Sequence, residues 1–469
     1  MFTSVADSGS TIVALPTIAR HFNTDLPTTQ WVVIAYALTI SALLVPMGRI
    51  SDILGRKRIY ITGFSIFAFG ALLSALSFSV TTLILSRVLM GVGAAMTQGP
   101  SMAIMISAFP TDERGKALGL QMSAVGTGAV AGPALGGVIV SAFGWRGIFF
   151  ATTILGLISI IAVTLILRPD TRERGKSKSS FDWLGAWLST GLLVLFLLAM
   201  SNGPKLGWTS PYIIGSFAGA LFLLGFFVWW ELRTAMPMLD IRYFKHRNFS
   251  IGVITRFVTF MGMSSVRYLL PFYVQSILGF SPRFFGLIAI PAALCTIIVS
   301  PLSGRFSDRY GWKRFTVGGL FVAAIGLFLL ATVSVGSSLL FLIGAWVLQR
   351  IGHGSFSAPN NASVLSVVDK EQFGVMASFL NMLRNAGNVT GTALATAIVT
   401  AVMVSRGLTP TLESASGGAE AQVAQAFTTG MRIAYIVPAV LICLGMMLYF
   451  FSRPQTNTIS NPISGGSPK

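Results

Sequence analysis

The stretch Gly48–Arg58, GRISDILGRKR, recurs later in the chain as Gly304–Arg314, GRFSDRYGWKR. Both copies read G-R-x-S-D-x-x-G-x-K-R over eleven residues, and each follows an apolar run. Glycine allows a tight turn, and the Asp can cap the next helix or pair with an Arg. This shared spacing predicts an internal repeat in which each copy is a conformational latch between neighbouring helices. The predicted latch residues are Gly48, Arg49, Asp52, Gly55, Arg56, Arg58, Gly304, Arg305, Asp308, Gly311 and Arg314.

The chain around these turns is strongly apolar. Of its 469 residues, 53% are hydrophobic and 10% are charged, whereas soluble domains carry about 25% charged residues. This composition predicts an all-α polytopic membrane protein and argues against a globular cytosolic enzyme, a disordered chain, collagen or a coiled coil. We expect fourteen membrane spans, at residues 1–19, 29–48, 59–79, 82–106, 116–141, 148–167, 183–201, 212–230, 249–278, 284–303, 315–334, 338–358, 373–403 and 431–451.

The distribution of basic residues predicts the orientation. With residue 1 placed inside, the inner connections and the C-terminal tail hold twenty-two Lys and Arg residues, and the outer connections hold five. Basic residues accumulate on the cytoplasmic side of membrane proteins, beside anionic lipid. The net charge of +18 therefore indicates membrane lipid as a partner and not nucleic acid. We expect a multi-pass protein of the cytoplasmic (inner) membrane with both termini in the cytoplasm.

The repeat also predicts the domain organisation. The two copies lie eight spans apart, as expected for two six-span halves separated by two inserted spans. Parallel halves related by an axis along the membrane normal are a known transporter plan. We expect a first six-helix bundle over 1–168, the inserted pair over 169–240, a second six-helix bundle over 241–454 and a disordered cytoplasmic tail over 455–469. Because Asp7 lies less than two turns from residue 1, we also expect that further residues precede this chain.

Motifs of a known family occur at four more places. Residues 85–95, LSRVLMGVGAA, contain a buried Arg in the fourth span, and residues 128–137 read GAVAGPALGG in the fifth. Residues 7–16 read DSGSTIVALP in the first span, and residues 181–185 read FDWLG before the seventh. Together with the two turns, these stretches resemble the major facilitator superfamily. Within it they resemble the fourteen-span drug:proton antiporters of the EmrB/QacA type, which carry two extra central spans.

The resemblance implies that Asp7 is the proton-coupling residue and that Arg87 assists proton transfer. An intramembrane carboxylate is costly and therefore a functional candidate. Burial disfavours its charged form and a nearby cation favours it, so such a group can load and release a proton. Two structural alternatives stay open: Asp7 could cap a shortened first helix, and Arg87 could clamp backbone carbonyls.

The glycines of the fifth span form a separate feature. Gly128, Gly132 and Gly136 recur every four residues and make one smooth helix face that a neighbouring helix can approach closely. Pro133 can kink this helix, and Gly137 completes the motif. We interpret these residues as packing that governs opening and closing and not as substrate ligands.

Polar residues in the second half predict a substrate cavity. Asn381, Arg384, Asn385 and Asn388 share one face of the thirteenth span and line either a cavity or a hydrogen-bonded seam. Arg256 and Arg267 share a face of the ninth span about 16 Å apart. Each could snorkel to its nearer interface, or with Arg384 they could make the interior positive and suit an anionic or zwitterionic substrate. The predicted cavity residues are Gln98, Arg256, Arg267, Gln275, Asn381, Arg384, Asn385 and Asn388.

Signals for other chemistry are missing from the sequence. It has no G-x-x-x-x-G-K-[ST] phosphate loop, which argues against ATP-driven transport by this chain. Its two cysteines lie in apolar runs and its three histidines are scattered, so we expect no metal site and no cofactor. We expect no catalytic residues and no enzyme activity.

The leading hypothesis is a secondary transporter that exports hydrophobic, drug-like compounds in exchange for protons, by alternating access between the two bundles. One alternative is export or flipping of a lipid or another anionic or zwitterionic amphiphile. A second is a membrane sensor or scaffold without flux. The sequence does not identify the substrate or any periplasmic adaptor.

Overall fold

The computed structural model describes residues 2–108, 114–167, 182–234, 240–368, 373–411 and 419–450. Over these ranges the regular structure is helical and no strand occurs. The side chains of the latch residues Arg49 and Asp52 lie outside the described part, as does the predicted tail 455–469.

The helices follow the apolar segments in order. The first half contains α1 (Phe2–Phe22), the single-turn α2 (Leu26–Thr29), α3 (Trp31–Leu54), α4 (Arg56–Ala75), α5 (Val80–Ala108) and α6 (Arg114–Ile166). The inserted pair is α7 (Trp183–Leu206) and α8 (Pro211–Glu231). The second half contains α9 (Arg247–Phe272), α10 (Pro282–Tyr310), α11 (Trp312–Ala331), α12 (Leu339–Leu365), α13 (Phe373–Ser405) and α14 (Ala419–Phe450). A 3₁₀ turn, Ile241–Lys245, precedes α9, and a π-helical turn, Tyr273–Ile277, follows it.

Helix α6 reverses direction at Gly144. This glycine has a φ of 73° and a ψ of 179° and interrupts the helix. A Cβ atom on Gly136 would lie 2.6 Å from the Cα atom of Ser10 on α1. Thr152 donates a hydrogen bond to Asp7, which lies one turn before Ser10 on the same helix. In a straight helix Gly136 and Thr152 would be ~24 Å apart, so the chain must turn back between them. The fifth and sixth predicted spans are thus the two arms of α6.

Twelve helices of the described residues are long and apolar enough to cross a membrane. The broken α6 counts once among them, and α1 is not included. The chain is therefore a multi-pass membrane protein with the expected all-helical architecture, whereas the number of fourteen spans stays a prediction.

The two halves pair their helices in the same way. In the first half, α1 packs on α6, α3 on α5, and α4 on both α5 and α6. In the second half, α9 packs on α13, α10 on α12, and α11 on both α12 and α14. Each of these pairs joins helices at equivalent positions in the two halves, which confirms the prediction of two pseudo-symmetric halves; the number of six spans in each half stays a prediction. The exact domain limits stay predictions.

The two repeated turns lie at the same end of the molecule. Tyr268, near the end of α9, donates to the Leu26 carbonyl 3.0 Å away, just before α3 begins. Helix α10 begins at Pro282, shortly after α9, so α3 and α10 start at one end and finish at the other. We call the end with the turns at Gly55 and Gly311 the turn face and the other end the opposite face.

The inserted pair packs beside both halves. Helices α7 and α8 pack on each other, and α7 also packs on α3 of the first half and α13 of the second. The carboxylate of Asp182 caps α7, where Oδ1 accepts from the Gly185 amide at 2.8 Å. The same oxygen accepts from Trp230 Nε1 of α8 at 2.8 Å, so a single side chain holds the two helices together at their base.

Candidate functional site

Asp7 of α1 and Arg87 of α5 form a buried ion pair in the first half. Arg87 Nη1 donates to Asp7 Oδ2 at 2.7 Å, and the side chains are 1% exposed for Arg87 and 0% for Asp7. Thr152 donates to the other carboxylate oxygen at 3.3 Å. Arg87 Nε donates to the Val32 carbonyl at 3.0 Å, and the guanidinium lies 4.3 Å from the centroid of the Tyr36 ring. The two charges therefore compensate each other away from water, in contacts that involve four helices.

The glycines of α6 bring α1 into this position. A Cβ atom on Gly128 would lie 2.9 Å from the Phe2 carbonyl oxygen, and one on Gly132 would lie 2.6 Å from that of Ala6. Ser10 donates to the Gly132 carbonyl at 2.8 Å. The glycine face therefore contacts the turns of α1 on both sides of Asp7.

The same motif also contacts the second half. A Cβ atom on Gly137 would lie 2.5 Å from the Pro282 carbonyl oxygen of α10. The Arg283 amide donates to Ser141 Oγ at 3.0 Å. These contacts lie near the opposite face, so residues of the motif also join the two bundles there. The sequence pattern indicated a packing helix and did not identify this second partner.

Arg256 of α9 is held by two other helices of the second half. Its Nε donates to the Leu380 carbonyl of α13 at 3.2 Å, and its Nη1 donates to Asn361 Oδ1 of α12. The guanidinium lies 5.2 Å from the Phe260 ring centroid. The Phe260 ring in turn contacts His353 of α12 edge-on, with centroids 4.9 Å apart.

Three further arginines lie in the same interior. Arg384 of α13 lies one turn after Leu380, whose carbonyl binds Arg256, and one turn before Asn388, whose carbonyl binds Ser264 near Arg267. Arg350 of α12 lies three residues before His353, whose ring contacts Phe260. Arg267, Arg350 and Arg384 are each partly buried. We refer to Arg256, Arg267, Arg350 and Arg384 as the arginine cluster. The sequence analysis placed three of its members in the cavity and assigned no role to Arg350 or His353, although their spacing of three residues puts both on one face of α12.

The remaining cavity candidates have diverse surroundings. Asn381, Asn385 and Asn388 are partly buried on α13, and the Asn388 backbone carbonyl accepts from Ser264 of α9 at 2.7 Å. Gln98 is partly buried on α5. Gln275 donates to the Val13 carbonyl of α1 at 2.9 Å and is 3% exposed, so this side chain joins the two halves near the opposite face. The cavity assignment of all these residues stays a prediction.

The two latch turns have closely similar backbones. Gly55 has φ and ψ of 99° and 128°, and Gly311 has 91° and 133°. Ser51 Oγ donates to the Gly48 carbonyl at 2.5 Å, and Ser307 Oγ donates to that of Gly304 at 2.7 Å. The equivalence of the turns thus extends to local hydrogen bonds.

Most charged latch residues point outwards. Arg58, Arg305, Asp308 and Arg314 are exposed. Arg56 is partly exposed and has a contact partner. Their role as a latch stays a prediction.

The arrangement favours transport over chemistry. The described residues contain no group of three or more His, Cys, Asp or Glu side chains that could hold a metal ion. Two pseudo-symmetric helical bundles, the first with a buried ion pair, are features of a membrane transporter. Residues 1–251 and 252–467 each match the Major Facilitator Superfamily, and the chain belongs to this family.

The names of similar proteins refer to several different compounds. The chain is 34% identical over 394 residues to the riboflavin transporter RibZ of Clostridioides difficile, covering 84% of each chain. It is 29% identical to the multidrug resistance protein Stp of Mycobacterium tuberculosis, covering 86% of this chain and 74% of Stp. It is 27% identical to the lincomycin resistance protein LmrB of Listeria monocytogenes, covering 94% of this chain and 92% of LmrB. The family and these relatives are transporters and not enzymes.

Solved structures share the fold. A bacterial homologue of the human lysosomal transporter Spinster, in an inward-facing and unoccupied conformation, matches with a TM-score of 0.67 and 18% identity, covering 96% of this chain and 94% of that one. The POT family transporter PepTSo matches with a TM-score of 0.65 and 15% identity, covering 96% of this chain and 97% of that one.

Proposed function

We propose that this transporter exports hydrophobic, drug-like compounds in exchange for protons, with Asp7 as the proton-coupling residue. The buried Asp7–Arg87 ion pair is the observation that supports the proposal. A charged pair away from water is stable only while both partners keep their charge, because an isolated buried charge is costly. A proton on Asp7 would leave the guanidinium without its counter-ion, and the packing around it would then favour a different arrangement.

The surroundings of Arg87 fit such an exchange. When Asp7 is neutral, the guanidinium keeps the Val32 carbonyl and the Tyr36 ring as partners, so it is not left entirely unsupported. Asp7 keeps the Thr152 hydroxyl as a neighbour. Because these groups belong to α1, α3, α5 and the second arm of α6, one proton can alter the contacts of four helices.

The contacts between the halves support alternating access. Those described above, at Gly137, Ser141, Gln275 and Tyr268, lie towards the opposite face. They support a state that is closed at the opposite face. With the turn face in the cytoplasm, as the distribution of basic residues indicates, such a state would load substrate from inside the cell.

The relatives support the substrate class. Stp and LmrB are named for drug resistance, and the bundles bury many aromatic and aliphatic side chains. The resemblance to RibZ indicates that related chains also transport vitamin-like molecules, so a substrate panel needs to include flavins.

The test is transport by purified protein in proteoliposomes with an imposed pH gradient. We expect Asp7→Asn to abolish gradient-driven uptake of a hydrophobic dye into the proteoliposomes, while dye binding stays measurable. The matched control is Asp25→Asn, because Asp25 caps the single-turn α2 at Thr28 and Asn caps helices equally well.

Gradient-driven transport by Asp7→Asn at the wild-type rate would show that Asp7 is not the coupling site. Wild-type vesicles without substrate-dependent proton movement across the whole panel would favour the sensor or scaffold alternative.

A further inference from the structure

The arginine cluster lies on helices of the second half, whereas Asp7 and Arg87 lie on helices of the first, and it places four cations there. Acidic residues are rare in this half of the sequence. From residue 247 to residue 450 they are limited to Asp308, Asp369, Glu371, Glu413 and Glu420. The structure describes the side chain of Asp308 among these, and it is exposed near the end of α10. Buried cations are costly unless an anion accompanies them. Among the described residues of its own half, no carboxylate forms an ion pair with the cluster.

Several donors of the cluster are unused. Arg267 and Arg384 donate no hydrogen bond to the described part of the chain, and Arg350 Nε is buried without an acceptor there. His353 Nδ1 is also buried without a partner among the described residues, and its side chain is 4% exposed. Arg256 alone is bound by protein acceptors, at Leu380 and Asn361.

The positions of the arginines argue against snorkelling to separate interfaces. Snorkelling would draw Arg256 towards the turn face and Arg267 towards the opposite face. Instead, Arg256 binds the Leu380 carbonyl, one turn before Arg384 on α13, and Ser264, three residues before Arg267, binds the Asn388 carbonyl, one turn after Arg384. The Phe260 ring joins Arg256 to His353, which lies three residues after Arg350 on α12. The four side chains thus come from α9, α12 and α13 and lie around one interior region.

The neighbouring surface is aromatic. The Phe260 ring lies beside Arg256 and His353, and the Trp346 ring centroid lies 5.9 Å from the Arg350 guanidinium. A ligand at the arginines would therefore meet guanidinium donors and apolar rings side by side. Guanidinium groups pair with carboxylates and phosphates through paired hydrogen bonds.

We propose that the arginine cluster binds the anionic group, a carboxylate or phosphate, of an amphiphilic substrate whose apolar part lies against Phe260 and Trp346. This inference rests on the proposed function, because it takes the bound molecule to be the one transported. The two halves then differ in their counter-ions: Asp7 neutralises Arg87 in the first half, and the substrate neutralises the cluster in the second.

The test is equilibrium binding of radiolabelled dodecyl phosphate to the protein in phosphatidylcholine nanodiscs, with empty nanodiscs as background. We expect dodecyl phosphate to bind in preference to dodecyltrimethylammonium. We expect Arg384→Gln and Arg267→Gln each to weaken its binding by about tenfold or more, the usual effect of losing a charged hydrogen-bond donor. Arg384→Lys should keep most of the preference for the anion. The matched control is Arg233→Gln, an exposed arginine at the end of the inserted pair.

Thermal unfolding separates binding from a purely structural role. Removing an uncompensated, partly buried cation relieves part of its desolvation cost, so Arg384→Gln should melt at or above the wild-type temperature without ligand. Dodecyl phosphate should stabilise the wild type more than this variant. A lower melting temperature for Arg384→Gln together with unchanged dodecyl phosphate binding would overturn the proposal.

Competition identifies the source of the anion. If phosphatidylglycerol in the nanodisc displaces dodecyl phosphate, the site is assigned to a lipid headgroup. If phosphatidylglycerol does not displace it, the site is assigned to a soluble amphiphile. Both results support the proposal. Equal displacement by inorganic phosphate, or equal binding of dodecyltrimethylammonium, would contradict it. The assay uses no proton gradient, so failure of Asp7 as the coupling residue would not affect its result.

Discussion

Gly286 of α10 lies against Pro133 of α6, and a Cβ atom on Gly286 would be 2.6 Å from the Pro133 carbonyl oxygen. The two helices belong to different halves and meet backbone to backbone, with no side chain between them. A contact this close can form only while the halves are together at the opposite face.

We therefore expect Gly286→Ala to disfavour the state that is closed at the opposite face. The added methyl group should weaken closure by roughly 1–3 kcal/mol, the usual effect of overpacking. Spin labels at Phe143 and Leu340, both highly exposed near the opposite face, should report a larger share of long distances, after Cys295 and Cys443 are replaced by Ser.

The matched control for this experiment is Gly215→Ala on α8. A Cβ atom on Gly215 would meet no atom within 4 Å, so the label distances should match those of the wild type. Unchanged distances in Gly286→Ala as well would show that the contact does not govern closure.

A second prediction concerns the ion pair. Arg87→Gln leaves the Asp7 carboxylate buried and uncompensated, so we expect it to lower stability by roughly 3–5 kcal/mol. The double variant Asp7→Asn/Arg87→Gln removes both charges and should lose clearly less. Thermal unfolding of the two single variants and the double variant gives the coupling free energy. Additive losses would mean that the two side chains do not stabilise each other.

A third prediction concerns the glycine face of α6. Gly132→Ala would place a methyl group 2.6 Å from the Ala6 carbonyl oxygen and should push α1, and Asp7 with it, away from Arg87. We expect lower stability and slower proton-coupled transport, measured in the proteoliposome assay. Ala129→Val on the exposed side of the same helix should transport at the wild-type rate. Equal loss in both variants would indicate a general effect on α6.

A fourth prediction uses the two repeated turns. Gly55 and Gly311 both adopt positive φ, where a residue with a Cβ atom is strained by roughly 1–2 kcal/mol. Gly55→Ala and Gly311→Ala should therefore lower the melting temperature by similar amounts. Gly318→Ala, within α11 and without atoms near its Cβ position, should not lower it. A large difference between the two turns would contradict their structural equivalence.

Much of the fold could be predicted from the sequence, because a bilayer allows few solutions. Apolar runs of sufficient length must become helices in hydrocarbon, and the repeat at Gly48 and Gly304 indicated two similar halves. A short connection was predicted where the chain reverses at Gly144. That this one glycine makes the reversal was not predicted, because the sequence contains many glycines and does not show which of them forms a turn.

The site was predictable only in part. Asp7 and Arg87 stood out because buried charges are rare in membranes, and the structure places them in contact. Their partners Thr152, Val32 and Tyr36 had no signal, because a hydroxyl group, a backbone carbonyl and an aromatic ring are common in any helix. The placement of Arg350 beside the arginine-bearing helix α9 depends on the packing of α12 against it, which one sequence does not reveal.

The contacts of α7 have a consequence for how the protein moves. Gln30 donates to the Ser201 carbonyl at 3.0 Å, and Thr190 donates to the Ala42 carbonyl at 2.9 Å, so directional bonds attach α7 to the first half. Its contact with α13 is apolar, formed by Leu193 and Leu197, and such surfaces can slide without breaking directional bonds. The inserted pair should thus move as one body with the first bundle. The surface along which the halves slide during the transport cycle should then lie between α7 and α13.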